Sequence, residues 1–373
     1  MKIAVNTRLL RKGKMDGIGW FTYNTLQKIT TDNPDIEFHF FFDSGIDSSF
    51  LFGKNIIPHN LFPPTKHALL NIVWFEWTVK RMLQKINPDL FLSPDGSLCL
   101  GWNGKQYGVI HDINFVHMPE ALKFSNRKYY NYFFPKYARK ATRLATVSAY
   151  SKNDIIKTYG IPESKIDIVY SGINSFYQPV TNDDAQKTRL RFSEGCEYFV
   201  FIGTLSPRKN ILRLMEAFEI YKTNTGSDHK LLIVGKGMYK EGELLDFKTK
   251  LKYSSDIIFT GRQDDVDVKK ILASAISLVF IPLFEGFGLP PIEAMQCNVP
   301  VIASNVTSVP EICGNAALIV DPYNTLEVAV AMTKTAENKQ LRQDLITKGA
   351  IRKDFFSWSK TADLLWKSIN KII

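Results

Sequence analysis

Apolar residues in this chain come in short bursts. Six bursts rich in β-branched and aromatic residues fall in the first half, at Lys2–Leu9, Phe38–Phe42, Asp89–Ser93, Gln106–His111, Leu144–Ser148 and Ile166–Tyr170. Six more follow, at Tyr198–Gly203, Lys230–Gly235, Asp256–Thr260, Ser277–Pro282, Pro300–Ala303 and Ala317–Val320. Each gives way to a longer helix-like or polar stretch. Such bursts are the mark of strands buried on both faces, so the pattern predicts two parallel sheets in an α/β fold. A polar, strandless stretch from about Ser171 to Cys196, with Pro179 and Thr181-Asn182-Asp183-Asp184, reads as the connection between them. The expected organisation is therefore an N-terminal Rossmann-like domain over 1–180, a linker over 181–195, a C-terminal Rossmann-like domain over 196–355 and a terminal helix over 356–373. Sheets of this kind bind ligands beyond the carboxyl ends of their strands, and two of them would share a cleft there.

A length of 373 residues suits two domains better than one. No apolar run reaches the roughly 18–20 residues needed to span a bilayer, and the first residues enter a strand at once, without a signal-peptide layout. Cys99, Cys196, Cys297 and Cys313 are scattered with no CxxC spacing, which fits free thiols in a reducing compartment and argues against a zinc site or a disulfide framework. A cytoplasmic protein is expected. The net charge of +10 is uneven: residues 1–180 hold 22 Lys and Arg against 14 Asp and Glu, while residues 181–373 hold 25 against 23. That surplus points to an anionic partner for the first half.

The strongest chemical signal is Phe284-Glu285-Gly286-Phe287-Gly288-Leu289-Pro290-Pro291-Ile292-Glu293. Two glutamates flank a Gly-x-Gly turn that follows a buried strand and feeds a helix starting near Pro290. Bare backbone N–H groups and a positive helix end suit a diphosphate or a polar sugar, with the carboxylates accepting from hydroxyls. His111, ending a strand ahead of Asp112, is either a hydrogen-bonded structural residue or a group at a reacting centre.

These segments together resemble a retaining glycosyltransferase of family GT4, whose mark is the Glu-x7-Glu spacing of Glu285 and Glu293. The likeness runs through Asp16-Gly17-Ile18-Gly19-Trp20, Val109-Ile110-His111-Asp112, Thr146–Ser151, Val169–Asn174, Ile202–Asn210 and Phe259–Arg262 to the terminal Phe356-Ser357-Trp358 segment. It implies the GT-B fold, two Rossmann-like domains facing an interdomain cleft. By the same resemblance Lys209, with Arg208, neutralises the diphosphate of a nucleotide-sugar donor, which offsets charge growing on the leaving group. Glu293 holds the ribose and Glu285 the sugar hydroxyls. The backbone of Phe287, Gly288 and Leu289 lies against sugar and phosphate, Gly17 and Gly19 allow close approach to the phosphates, and His111 sits beside the reacting carbon. Many relatives carry Arg directly after the glycine where this chain has Gly203-Thr204, so one cationic contact is missing or moved to Arg208. Asp265-Val266-Asp267 spells the Asp-x-Asp of metal-dependent transferases, but in an acidic cluster at a helix start it is explained by capping. No metal and no cofactor are expected, and the nucleotide sugar is a co-substrate. Retention without a placed nucleophile implies front-face substitution.

Residues 121–153 contain eight Lys and Arg and no acid, and Arg127–Tyr137 interleaves cations with rings. A second stretch, Lys66–Leu83, sets Trp74, Phe75 and Trp77 beside Lys80 and Arg81. Two readings stand: an interfacial site at the inner membrane face receiving a lipid-linked acceptor, or core aromatics under a solvated charged face. No recognition motif accompanies the charge, which disfavours nucleic acid. The expected reaction is transfer of a hexose, GDP-mannose favoured and UDP-sugars open, to a glycan or lipid-linked acceptor. The alternative is a nucleotide-sugar epimerase of the same shape. A Rossmann oxidoreductase is disfavoured because Gly235-Lys236-Gly237 lacks the third glycine of the dinucleotide fingerprint.

Overall fold

The computed structural model describes residues 1–65, 67–122, 124–237 and 241–373. Lys66 and Lys123, counted among the basic residues above, lie outside them. The chain forms two compact units. The first comprises Met1–Gly172 with Phe356–Ile373, and the second comprises Ile173–Phe355.

The first unit is built on seven parallel strands: β1 (Lys2–Asn6), β2 (Glu37–Phe42), β3 (Ile56–Asn60), β4 (Leu90–Ser93), β5 (Gln106–Val109), β6 (Arg143–Thr146) and β7 (Ile166–Ile168). Their spatial order is β3-β2-β1-β4-β5-β6-β7. Central strands are mostly apolar, as expected of parallel strands covered on both faces; β4 and β5 bury every residue, Ser93 and Gln106 included. The strand absent from the sequence reading is β3, an edge strand whose Pro58 pairs opposite Phe40. Proline cannot donate to a ladder and is confined to edges, so its presence with His59 and Asn60 hid the strand.

The second unit carries β8 (Tyr198–Ile202), β9 (Lys230–Val234), β10 (Ile257–Gly261), β11 (Ser277–Phe280), β12 (Val301–Ser304) and β13 (Leu318–Val320), all parallel. Their order is β10-β9-β8-β11-β12-β13. In both sheets the strand order reverses once, between β1 and β4 and between β8 and β11. Loops leaving neighbouring strands in opposite directions open a crevice at such a point.

The expected linker over 181–195 needs correction. Residues Asn182–Ser193 are a helix of the second unit, started by Thr181, whose hydroxyl accepts from the Asp184 N–H at 3.2 Å. Asp183 and Asp184 in its first turn complement the helix dipole. The same acids make the stretch read as a polar connection. This helix packs on the helix Asp265–Ala273, and Arg191 pairs with Asp267 at 2.9 Å.

The terminal helix Trp358–Ile369 belongs to the first unit. The Thr361 hydroxyl donates to the Tyr170 carbonyl at 2.8 Å, and the buried Tyr107 hydroxyl donates to Ser368 at 2.7 Å. Asp167 gathers Arg143, Ser368 and Lys371. Gly172 leaves room for this segment, since a Cβ there would sit 2.2 Å from the Trp358 backbone nitrogen.

Candidate active site

In the second unit the site grows from the two loops that diverge at the β8/β11 reversal. The loop after β8 tightens into a single turn, Pro207–Lys209. Asn210 ends it in the left-handed region at φ 62° and donates from its side chain to the carbonyls of Ile281, at 3.1 Å, and Pro322, at 2.7 Å. The Leu283 N–H donates to the Arg208 carbonyl at 2.7 Å. The basic turn is thus bolted to the loop following β11.

Arg208 and Lys209 converge on one carboxylate. Arg208 donates to Glu285 Oε1 at 2.5 Å and to the Phe284 carbonyl at 3.1 Å, and Lys209 Nζ lies 2.5 Å from the same Oε1. Lys209 and Glu285 are each only 7% exposed. Burial alone would push the Glu285 carboxyl up, but the two cations outweigh it and hold it below its ordinary value. Lys209 also lies 4.9 Å from the centre of the Phe280 ring.

The glutamate loop is shaped by residues the sequence reading did not single out. Thr307, itself at φ 58°, accepts from the Glu285 N–H at 3.2 Å, and the buried Ser308 hydroxyl donates to the carbonyls of Glu285 at 2.9 Å and Phe287 at 3.1 Å. Gly288 takes φ 95° at the start of the helix Leu289–Gln296, where a side chain would be strained and its Cβ would press on Phe280 at 3.3 Å. Gly288 supplies no side-chain cap to that helix, and because Pro290 and Pro291 carry no N–H, its first turn has backbone donors only at Leu289 and Ile292. Glu293 stands half-buried on the same helix. Desolvation and the charge of Asp265 push its carboxyl up to about 7, against a hydrogen bond from Tyr177 and the charge of Lys209. Burial and the facing Glu293 raise the Tyr177 phenol in turn.

Two other features noted in the sequence have structural roles. Gly235 lies where a Cβ would fall 1.9 Å from the Gly203 carbonyl oxygen, so Gly235-Lys236-Gly237 serves the contact between the ends of β8 and β9. Asp264 caps the helix Asp265–Ala273, accepting from the Asp267 N–H at 2.8 Å. Among the described residues no group of three or more His, Cys, Asp or Glu is arranged to hold a metal.

In the first unit, Gly17 opens the helix Gly17–Asp32, capped by Asp16, which accepts from the N–H groups of Ile18 and Gly19. Gly17 is exposed, whereas Gly19 is buried against Met15 and the Leu9 carbonyl, 3.0 and 3.2 Å from where its Cβ would lie. From the same helix Phe21 meets the His111 ring edge-on at 4.9 Å. His111 Nε2 bonds the Pro94 carbonyl at 2.9 Å, so that nitrogen carries the proton and Nδ1 the lone pair. Burial lowers the His111 pKa below its ordinary 6.5, leaving a neutral imidazole at pH 7. Next to Pro94, Asp95 forms a buried pair with Arg8 at 2.6 Å across the β1/β4 reversal, and Arg8 also donates to Asn71 at 2.7 Å. This pair escaped the sequence reading. Its only signal was a charged residue just beyond each of two strands.

Comparison with known proteins gives these geometries a family. Residues 16–175 match the family described as Glycosyltransferase Family 4, and residues 182–352 match Glycosyl transferases group 1. The chain is 28% identical over 251 residues to O-antigen chain mannosyltransferase B of Escherichia coli, covering 67% of this chain and 66% of that protein. It is 28% identical over 269 residues to O-antigen chain mannosyltransferase RfbU of Salmonella typhimurium, covering 72% and 71%. The chain thus spans about two thirds of the length of these relatives. Its fold is similar to that of Anabaena HepE solved with UDP and glucose, at a TM-score of 0.76, 17% identity and full coverage of both chains. Two α/β units with family matches along nearly their whole length establish that this chain belongs to glycosyltransferase family 4 and has the GT-B fold.

Proposed function

We propose that this protein is a retaining, metal-independent glycosyltransferase that moves a hexose from a nucleotide-diphosphate sugar to a glycan or lipid-linked acceptor in surface polysaccharide synthesis. GDP-mannose is the favoured donor because the curated relatives named above are mannosyltransferases of O-antigen chains.

The observation that carries this reading is the convergence of Arg208 and Lys209 on Glu285 where β8 and β11 diverge. Two cations fixed in a nearly dry turn are placed for charge that develops on a departing diphosphate, and their reorganisation cost is met in folding. In the proposed step the bond between the sugar anomeric carbon and the diphosphate oxygen breaks, and that oxygen takes the electron pair. The acceptor hydroxyl forms the new bond on the same face and passes its proton to the departing phosphate. Glu285 would exchange part of its cation pairing for donor-sugar hydroxyls, and Glu293 would accept from the ribose. The backbone of Phe287, Gly288 and Leu289 would lie along the sugar and phosphates. Gly17 and Gly19, at the start of a first-unit helix, are proposed phosphate-approach positions. His111, held by the Pro94 carbonyl, would offer a neutral imidazole beside the reacting sugar.

A panel of GDP-mannose, UDP-glucose and UDP-galactose tested by thermal shift in EDTA would select the donor, since a ligand of the native state raises its stability by mass action. Release of nucleoside diphosphate with the selected donor should then depend on acceptor, and NMR of the product should show the donor's anomeric configuration. Stabilisation by no nucleotide sugar, inversion, or a requirement for divalent cation would overturn the respective part of the reading. Conversion of the donor sugar without any acceptor would mark an epimerase instead.

A further inference from the structure

The first unit carries a surface that the transfer chemistry leaves unused. Residues 68–86 run as one helical rod through a π-type turn, Trp74–Val79. Trp74, Phe75, Val79 and Leu83 face the core, with the Trp74 indole donating to the Leu61 carbonyl at 2.9 Å. On the other side Leu69, Val73 and Trp77 follow one another at four-residue spacing and are 70%, 38% and 64% exposed. Phe62, 79% exposed, is tied beside them because the Thr78 hydroxyl donates to its carbonyl at 2.8 Å. Arg81 closes the row with its guanidinium 4.9 Å from the Trp77 ring centre.

A second row lies on the helix Phe124–Lys140, which packs on the start of the same rod. Tyr129, Phe134 and Tyr137 are buried. The outward positions alternate ring and cation: Phe124, Lys128, Tyr132, Lys136. Lys128 sits 4.5 Å from the Phe124 ring centre and Lys136 3.4 Å from that of Tyr132. This helix holds five Lys and Arg and no acid. The single acid of residues 68–86, Glu76, is taken by the N–H groups of Leu100 and Gly101, each at 2.8 Å. The aromatic stretches thus divide, some rings lying in the core and others in water.

Rings left in water, three of which (Trp77, Phe124 and Tyr132) carry a cation on the face, match a partner that is apolar within and anionic at its surface. We propose that this face docks on an anionic lipid bilayer, with Phe62, Leu69, Val73 and Trp77 at the headgroup boundary and Arg81, Lys128 and Lys136 on lipid phosphates. No described helix is long and apolar enough to cross a membrane, so attachment here is lateral. The rod is also wired to the strand ends. Asn71, between Leu69 and Val73, accepts from Arg8, which pairs with Asp95 beside the Pro94 carbonyl that holds His111. Docking would therefore set these strand ends at a fixed height over the bilayer, where a lipid-linked acceptor presents its sugar. That consequence rests on the transferase reading, while the docking does not.

The test is co-sedimentation of the full chain with vesicles of phosphatidylcholine alone or mixed with phosphatidylglycerol. Binding is expected to the mixed vesicles and to weaken in ~0.5 M salt. Phe62→Ser with Trp77→Ser should lower partitioning at least about tenfold, and Lys128→Gln with Lys136→Gln should do the same on anionic vesicles only. Both pairs should leave the melting temperature and transfer to a water-soluble acceptor unchanged, while transfer to a vesicle-embedded acceptor falls. Equal binding to both vesicle types, no binding, or variants that sediment like the native chain would overturn the proposal. So would concentration-dependent self-association removed by the same variants, which would make this an interface between copies. Vesicle binding needs no donor, so its failure and a failure of the transferase reading are read separately.

Discussion

Glu285→Gln isolates the arrangement on which the functional reading rests. The substitution keeps size and one accepting oxygen but removes the negative charge on which Arg208 and Lys209 both close at 2.5 Å. Lys209 is 7% exposed and has little access to water, whereas the Arg208 side chain is 24% exposed. Removing one partner of a buried pair costs 3–5 kcal/mol in well-studied cases; the retained oxygen and the partial exposure of Arg208 set the expected loss near the lower end, about 3 kcal/mol. For a unit of this size that lowers the melting temperature by roughly 6–12 °C. The Glu285 pKa is depressed in the folded state, so its contribution is fully present above its ordinary 4.5 and disappears as pH falls through the folded value. The gap between native and variant proteins should accordingly be full at pH 7 and close under acid. Transfer should drop at least about a hundredfold. Nucleoside diphosphate should nevertheless bind several-fold more tightly, roughly fivefold, because a phosphate no longer competes with a carboxylate for two charge-assisted bonds. Calorimetric scans from pH 3 to 8 and titration with GDP and UDP measure both arms. An unchanged melting temperature at pH 7, or diphosphate binding weakened in the variant, would refute the reasoning.

Three further outcomes are expected. The folded-state pKa of Glu293 is raised to about 7, so this residue's contribution to stability is lost as pH rises from about 4.5 through 7; Glu293→Gln should be the more stable form at pH 8, by up to about 3 kcal/mol, with no difference at pH 4 in urea unfolding. Gly235→Ala forces a Cβ against the Gly203 carbonyl at a φ of 147°, and the backbone oxygen cannot step aside; unfolding at least about 3 kcal/mol easier is expected, checked by thermal melts. His111→Ala should cut transfer about a hundredfold while leaving diphosphate affinity intact, and the acid limb of the native pH–rate profile should lie below the ordinary histidine value of 6.5.

The sheets were legible because central parallel strands are largely apolar, as in β4, β8 and β11, and such runs stand out against polar helix faces. Edge strand β3 was not, since Pro58, His59 and Asn60 dilute its apolar signal. The helix Asn182–Ser193 was hidden by ambiguity: Thr181-Asn182-Asp183-Asp184 serves equally as a helix start and as a polar connection. Glu285 and Glu293 were readable because their turn, strand and helix are contiguous in sequence. The pairing of Glu285 with Arg208 was not, as the two are 77 positions apart and meet only because β8 and β11 are neighbours. Tyr177, Thr307 and Ser308 likewise act through bonds that sequence spacing does not encode. The split within the aromatic stretches, Trp74 inward and Trp77 outward, depends on the π-type turn that shifts helical phase.

The claim that most needs testing is that lysine and arginine, with no divalent ion, hold the donor diphosphate. Titration of GDP and UDP into native protein and Lys209→Met, both in excess EDTA, addresses it directly. The native chain should bind at least one of the two in EDTA, and the variant should bind it about 30- to 150-fold more weakly, the loss expected for a buried charge-assisted bond. Binding that vanishes in EDTA and returns with added magnesium, or that Lys209→Met leaves untouched, would contradict it.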